Sequence, residues 1–190
     1  MPTPMKSVHN RYDPLSQVFH WSTALLVVIA FILGPEHFGR LMRQGVDPAT
    51  RSGIVWHETL GIAVASLTLL RLLWVAARTQ APTFAMAGWM HTLSRITQAS
   101  LWVLLLATPL SAILALGTEG HPLTLVADIR VDEMPLLANA SLLKAMDWGE
   151  VHETLGDLIL WLSGLHAAGA LWHHHVLKDG VLKSMLPGEP

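Results

Sequence analysis

Two histidines, His152 and His166, stand 14 residues apart in a mostly apolar stretch, VHETLGDLILWLSGLHAAGALWHHH, that covers residues 151–175. In one helix, at about 1.5 Å and 100° per residue, their imidazoles lie roughly 21 Å apart along the axis and only about 40° apart around it. One helix face then carries a ring nitrogen at each of two depths, in a segment long enough to cross a bilayer. Ionisable side chains are costly inside a membrane and default to a functional role. Imidazole is a ligand for metal ions and for haem iron. The chemistry to look for is therefore a pair of metal or haem sites, each needing a second ligand from elsewhere in the chain.

The chain supplies those ligands. His57-Glu58-Thr59-Leu60-Gly61 recurs as His152-Glu153-Thr154-Leu155-Gly156, and each copy opens an apolar run. Gly61 and Gly156 follow their histidines by four residues, one turn deeper on the same face. A missing side chain there lets a flat macrocycle approach the backbone. A further intramembrane histidine, His20, lies near the start of the first apolar run. In an alternating four-span topology His57 and His152 fall at one depth, and His20 and His166 at the other. Two bis-histidine sites stacked in a helix bundle have the geometry of a two-haem b cytochrome. Six-coordinate iron with no open position favours electron transfer over oxygen binding.

Composition agrees with a membrane protein. Of 190 residues 52% are hydrophobic and 14% charged, with a mean hydropathy of +0.43; soluble domains average about 25% charged. The net charge of −2, without a basic stripe, excludes nucleic acid as a partner. Cysteine is absent, which excludes disulfides, thiolate-bound metal, cysteine-held iron–sulfur clusters and covalently attached haem. Any haem must be non-covalent and held by His or Met.

The elements that position these residues are four spans, at about residues 15–34, 54–77, 96–116 and 151–175, in a single domain over 1–190. The first run is too long, with Gln17 and His20 near its start, to be a cleaved signal peptide, and it reads as a retained span. Gly34 and Pro35 end it. Residues 82–95 read as a short interfacial helix, and Pro109 predicts a kink in the third span. Residues 117–150 form the longest loop, with a short amphipathic helix expected in MPLLANASLLKAMDW. Four spans place both termini on one side. Seven Lys and Arg lie on that side and five on the other, so the positive-inside rule puts the termini in the cytoplasm. Eleven of the fourteen acids fall on the other side or in its helix starts.

Arg71 and Arg78 are seven apart on one helix face near the cytoplasmic end, where they serve either as haem-propionate partners or as membrane anchors. Glu58 and Glu153 serve in proton handling, in ligand hydrogen bonding, or as helix N-terminal charge. Asp157 is the one acid well inside a span. His173, His174 and His175 form an interfacial cluster, His9, His37, His91 and His121 lie in loops, and most tryptophans mark the membrane interface.

The FHW around His20, the HETLG after Trp56, the R-L-L-x-x-x-x-R ending span two, LLLATPLSA and the long motif from Val151 through Leu186-Pro187 together resemble the bacterial cytochrome b561 family. The resemblance covers about residues 9–187. It implies an all-α, four-helix inner-membrane bundle enclosing two b haems, ligated by His20 with His166 and by His57 with His152. It also implies electron exchange with the quinone pool, ubiquinone as substrate, and, for some members, superoxide or another periplasmic donor giving up the electron. Arg95 and Gln98 stand at the start of span three, where the family pattern has histidine. Two other readings remain open at this level: a cytochrome b subunit relaying electrons between quinone and a partner enzyme, and a non-redox membrane transporter.

Overall fold

The computed structural model describes residues 11–35, 38–78, 82–84 and 87–188. Four long helices run antiparallel in chain order: α1 (Pro14–Leu33), α3 (Ser52–Ala77), α4 (Gly88–Glu119) and α6 (Trp148–Trp172). All four are long and apolar enough to cross a membrane. Between them lie α2 (Phe38–Arg43), a two-stranded hairpin of β1 (Leu123–Leu125) and β2 (Ile129–Val131), and the one-turn α5 (Pro135–Ala138). α1 packs along α3 and α4 along α6, with a looser seam between the two pairs.

Local signals fix the ends. Asp13 caps α1 by accepting from the Ser16 amide, with Pro14 at the first helical position. Asp147 caps α6 by accepting from the Glu150 amide. α4 stops at Gly120, whose φ of 73° is left-handed and closes the last turn onto Leu116. α6 passes into a π-helical turn at His173–Leu177. The hairpin turns through a three-residue loop, Val126, Ala127 and Asp128, whose last two residues are at positive φ (62° and 58°).

Three expectations need correction. The segment read as a separate interfacial helix is mostly part of the third long helix: α4 starts at Gly88 and runs unbroken past residue 96. The 117–150 loop holds a β-hairpin, and its expected amphipathic helix is reduced to α5 and a 3-10 turn at Leu143–Ala145. His91 lies on α4, not in a loop, while His9 and His37 fall outside the described residues.

The fully apolar core is small. Val64 of α3, Leu105 of α4 and Ile159 of α6 meet at its centre, with Leu26 and Val27 of α1 packed against them. Val64 is seven residues past His57, and Ile159 is seven past His152 and seven before His166. The layer therefore lies midway between the two depths at which the histidines stand. Most other large apolar side chains on the four helices face outward, as lipid-facing surfaces must.

Candidate cofactor-binding site

At the end of the bundle that carries the hairpin, α3 and α6 bring His57 and His152 together with ring centroids 5.9 Å apart. At the other end, where α1 begins and the chain finishes, α1 and α6 bring His20 and His166 to 6.3 Å. Two metal–imidazole bonds of about 2.0–2.1 Å, with ~1.1 Å from each nitrogen to its ring centre, span about 6.3 Å. Both gaps therefore match two imidazoles on opposite sides of one iron-sized ion.

The hairpin-end rings are held by their Nδ1 atoms. His57 Nδ1 donates to the Ala30 carbonyl at 2.7 Å. That carbonyl lies in the last turn of α1, where Gly34 bonds back to Phe31 instead, so it has no helical partner. His152 Nδ1 donates to the Thr108 carbonyl at 2.9 Å, with the Ser111 hydroxyl at 3.4 Å. A carbonyl only accepts, so each Nδ1 carries the proton and each Nε2 keeps a lone pair for a metal.

A cleft of about 120 Å³ opens between the helix pairs. His57, His152, Gly61, Gly156 and Pro109 line it, and Val64, Leu105 and Ile159 form its floor. A Cβ added at Gly61 or Gly156 meets no atom within 4 Å. Thr108 Oγ1, also on the lining residues, is buried without a hydrogen-bond partner among the described residues. Two close imidazoles with unprotonated Nε2 atoms, two bare glycines and an apolar wall fit a flat metal macrocycle.

Each end is closed by a strap. β1 crosses the hairpin end, where Leu123 lines the cleft. Glu58 holds it by accepting from both the amide and the hydroxyl of Thr124, and Thr59 Oγ1 accepts from the Val126 amide. Glu58 is thus a clamp on the hairpin, whereas its repeat partner Glu153 is exposed. Asp157 is exposed as well. On β2 of the hairpin, Arg130 pairs with Asp47 and Asp132. At the other end the C-terminal tail is tied to α1: Tyr12 N and Gln17 Nε2 donate to Ser184 O, and Trp21 Nε1 to Met185 O at 2.7 Å.

The arginines separate. The Arg71 guanidinium stacks 4.8 Å above the Trp102 ring and lies within electrostatic reach of His20 and His166. Arg78 is drawn away to Tyr12, 5.3 Å from its ring, and to Ser16 Oγ. There it joins a latch in which Trp74 Nε1 also donates to Asp13 and Ser16. Burial works to raise the Asp13 carboxyl, but the hydrogen bonds from Ser16 and Trp74 outweigh it and hold the group below the ordinary carboxylate range. His173 pairs with Asp179 in the π turn, the His174 and His175 rings touch at 4.8 Å, and His121 packs against Phe38 and pairs with Glu119. Sequence reasoning missed Trp102, because a tryptophan in a span carries no mark that separates a stacking partner from an interface anchor.

The family model described as prokaryotic cytochrome b561 matches residues 11–188. Among similar proteins, cytochrome b561 homolog 2 of Escherichia coli is 28% identical over 177 residues, covering 93% of this chain and 91% of its own. A probable superoxide oxidase CybB of Yersinia pestis is 29% identical over 186 residues, covering 95% and 98%. Cytochrome b562 of Cereibacter sphaeroides is 29% identical over 183 residues, covering 92% and 94%.

Proposed function

The chain belongs to the prokaryotic cytochrome b561 family, and on that premise we propose that it passes electrons across the membrane between two b haems. Membership makes it a multi-pass membrane protein of electron transport that carries b-type haem. The proposal adds the number of haems, their ligands and their redox partners. One haem is held by His57 and His152, the other by His20 and His166, in one functional unit over the whole chain. The observation that carries this is the repeated imidazole gap, 5.9 and 6.3 Å, at two depths of one bundle.

Haem b, when bound, supplies a reversible one-electron iron couple. The chain's own residues do the rest. Each histidine pair would hold a haem iron through its two imidazole nitrogens, a ligand set that favours electron transfer over oxygen binding. The Ala30 and Thr108 carbonyls hold two of the rings in the ligating tautomer. Gly61 and Gly156 give a macrocycle room against the backbone. β1 shields the hairpin-end site from bulk water. Arg71, and less directly Arg78, offer guanidinium groups to propionates at the terminal end.

The excess of Lys and Arg at the terminal end supports a cytoplasmic location for that end, with the chain in the bacterial inner membrane. Electrons then enter at the periplasmic hairpin end and leave to ubiquinone. The relative named as a probable superoxide oxidase supports superoxide as donor. Two superoxide anions, losing one electron each, become two molecules of oxygen, and the two electrons with two protons convert ubiquinone to ubiquinol. A second reading, a cytochrome b subunit serving a partner enzyme, is favoured by Leu136 and Leu142, which stand 90% and 88% exposed at the hairpin end.

The test is a haem count per chain on detergent-purified protein, with reduced-minus-oxidised spectra. Two low-spin b haems reduced by superoxide and reoxidised by ubiquinone are expected. A single haem, or none after expression with ample haem, overturns the four-histidine assignment. Reduction only by a co-purifying protein moves the protein to the second reading.

A further inference from the structure

The two copies of HETLG open α3 and α6, which run in the same direction. Fourteen residues past His152, α6 presents His166; fourteen residues past His57, α3 presents Arg71. By the same helical arithmetic, Arg71 stands on the His57 face at the depth of the second histidine pair. The packing agrees. Arg71 lies within electrostatic reach of both His20 and His166, and Trp102 of α4 stacks against its guanidinium. Each of the four long helices thus gives one side chain to the terminal-end site: His20, Arg71, Trp102 and His166. The hairpin-end site differs. Its rings rest on backbone carbonyls, and the charged side chain among those lining its cleft is Glu58.

We propose that Arg71 is a positioning residue for the electron, a fixed cation that makes the terminal-end iron the stronger electron acceptor of the two. This rests on the two-haem reading above. With two neutral imidazoles and the porphyrin dianion, the ferric centre carries one positive charge and the ferrous centre none. A permanent cation in a low-dielectric surrounding disfavours the charged, oxidised form. The sign is therefore an increase in potential at the terminal end, where Arg71 lies, with little effect at the hairpin end about 21 Å away along the helix. The ring of Trp102 holds the guanidinium in place without neutralising it.

The experiment is a spectroscopic redox titration of purified protein carrying both haems. His152→Ala, which keeps only the terminal-end pair, identifies that component. In the unaltered chain the terminal-end component titrates at the higher potential. Arg71→Gln is expected to lower that midpoint by about 59 mV, a tenfold change for one electron, and to leave the other component in place. Arg71→Lys retains the charge and most of the midpoint. An unmoved midpoint in Arg71→Gln, or an equal drop in Arg71→Lys, overturns the proposal. If Arg71→Gln loses the terminal-end haem, Trp102→Glu sets a carboxylate against the guanidinium instead; an unmoved midpoint there also overturns it. Absence of a terminal-end haem in the unaltered protein refutes the two-haem reading itself, a result distinct from either.

Discussion

Four glycines in the spans have nothing within 4 Å of where a Cβ would stand: Gly61, Gly156, Gly164 and Gly169. The first two line the cleft between the helix pairs, and the last two are exposed on the outer surface of α6. In protein alone the four are equivalent. Each Gly→Ala change meets no clash and should stabilise its helix by about 0.8–1 kcal/mol. That corresponds to about 2–4 °C in melting temperature for a chain of this size. If the cleft belongs to a macrocycle, Gly61→Ala and Gly156→Ala place a methyl in space that the cofactor fills. The same changes at Gly164 and Gly169 do not. The expected result is a split. All four variants are at least as stable as the parent when haem is withheld. Only Gly61→Ala and Gly156→Ala, and more severely Gly156→Leu, lose haem from the hairpin-end component. The assay pairs haem-to-protein ratio with thermal melting in detergent. Full haem occupancy in Gly156→Leu would refute the claim that this gap is reserved for a cofactor.

Other outcomes follow from single contacts. A Cβ at Gly117 would lie 2.4 Å from Leu137 Cδ1 and 2.7 Å from Leu137 Cβ, so Gly117→Ala must push α5 off α4. The overpacking cost of about 1–3 kcal/mol outweighs the helix gain, and thermal melting should show a net loss. Thr59→Val combined with Thr124→Val removes two side-chain contacts that hold β1, and limited proteolysis should cut the hairpin faster at Ala127–Asp128 with the helices intact. Because the Asp13 carboxyl is held below its ordinary range, its contribution is present above the unfolded pKa. It is lost as pH falls through the lower, folded value. Asp13→Asn keeps a capping side chain and should flatten only that acid limb of a stability–pH curve. His166→Ala and His152→Ala should each remove a different spectral component; loss of the same one by both would disprove the pairing.

The spans and the histidine pairing were legible because both rest on regular geometry. Apolar runs of span length declare helices, and a 14-residue interval declares depth and face without knowledge of the neighbours. The straps were not legible. β1 has three residues, and what holds it is Glu58, distant in sequence and, in sequence, indistinguishable from an ordinary first-turn acid. The start of α4 at Gly88 was hidden because a helix leaving the membrane changes composition without changing conformation. The carbonyls of Ala30 and Thr108 that hold the rings carry no side-chain signature at all. Arg71 was visible as a cation, but its equivalence to His166 emerges only when the two HETLG copies are laid over each other.

The apolar layer of Val64, Leu105 and Ile159 has an electrical consequence. The side chains of these three residues offer no hydroxyl, carboxylate or imidazole to a proton following an electron from one histidine pair to the other. On the proposed two-haem reading, transfer between the pairs is movement of charge over about 21 Å of a hydrocarbon core about 30 Å thick. About two-thirds of the membrane voltage acts on that step, roughly 1.5 kcal/mol for every 100 mV. Under the proposed orientation, a cytoplasm held negative resists the inward electron. The rate of transfer in an energised membrane should therefore fall as the voltage rises, and a chain embedded this way is in effect coupled to the proton-motive force without moving a proton through its core.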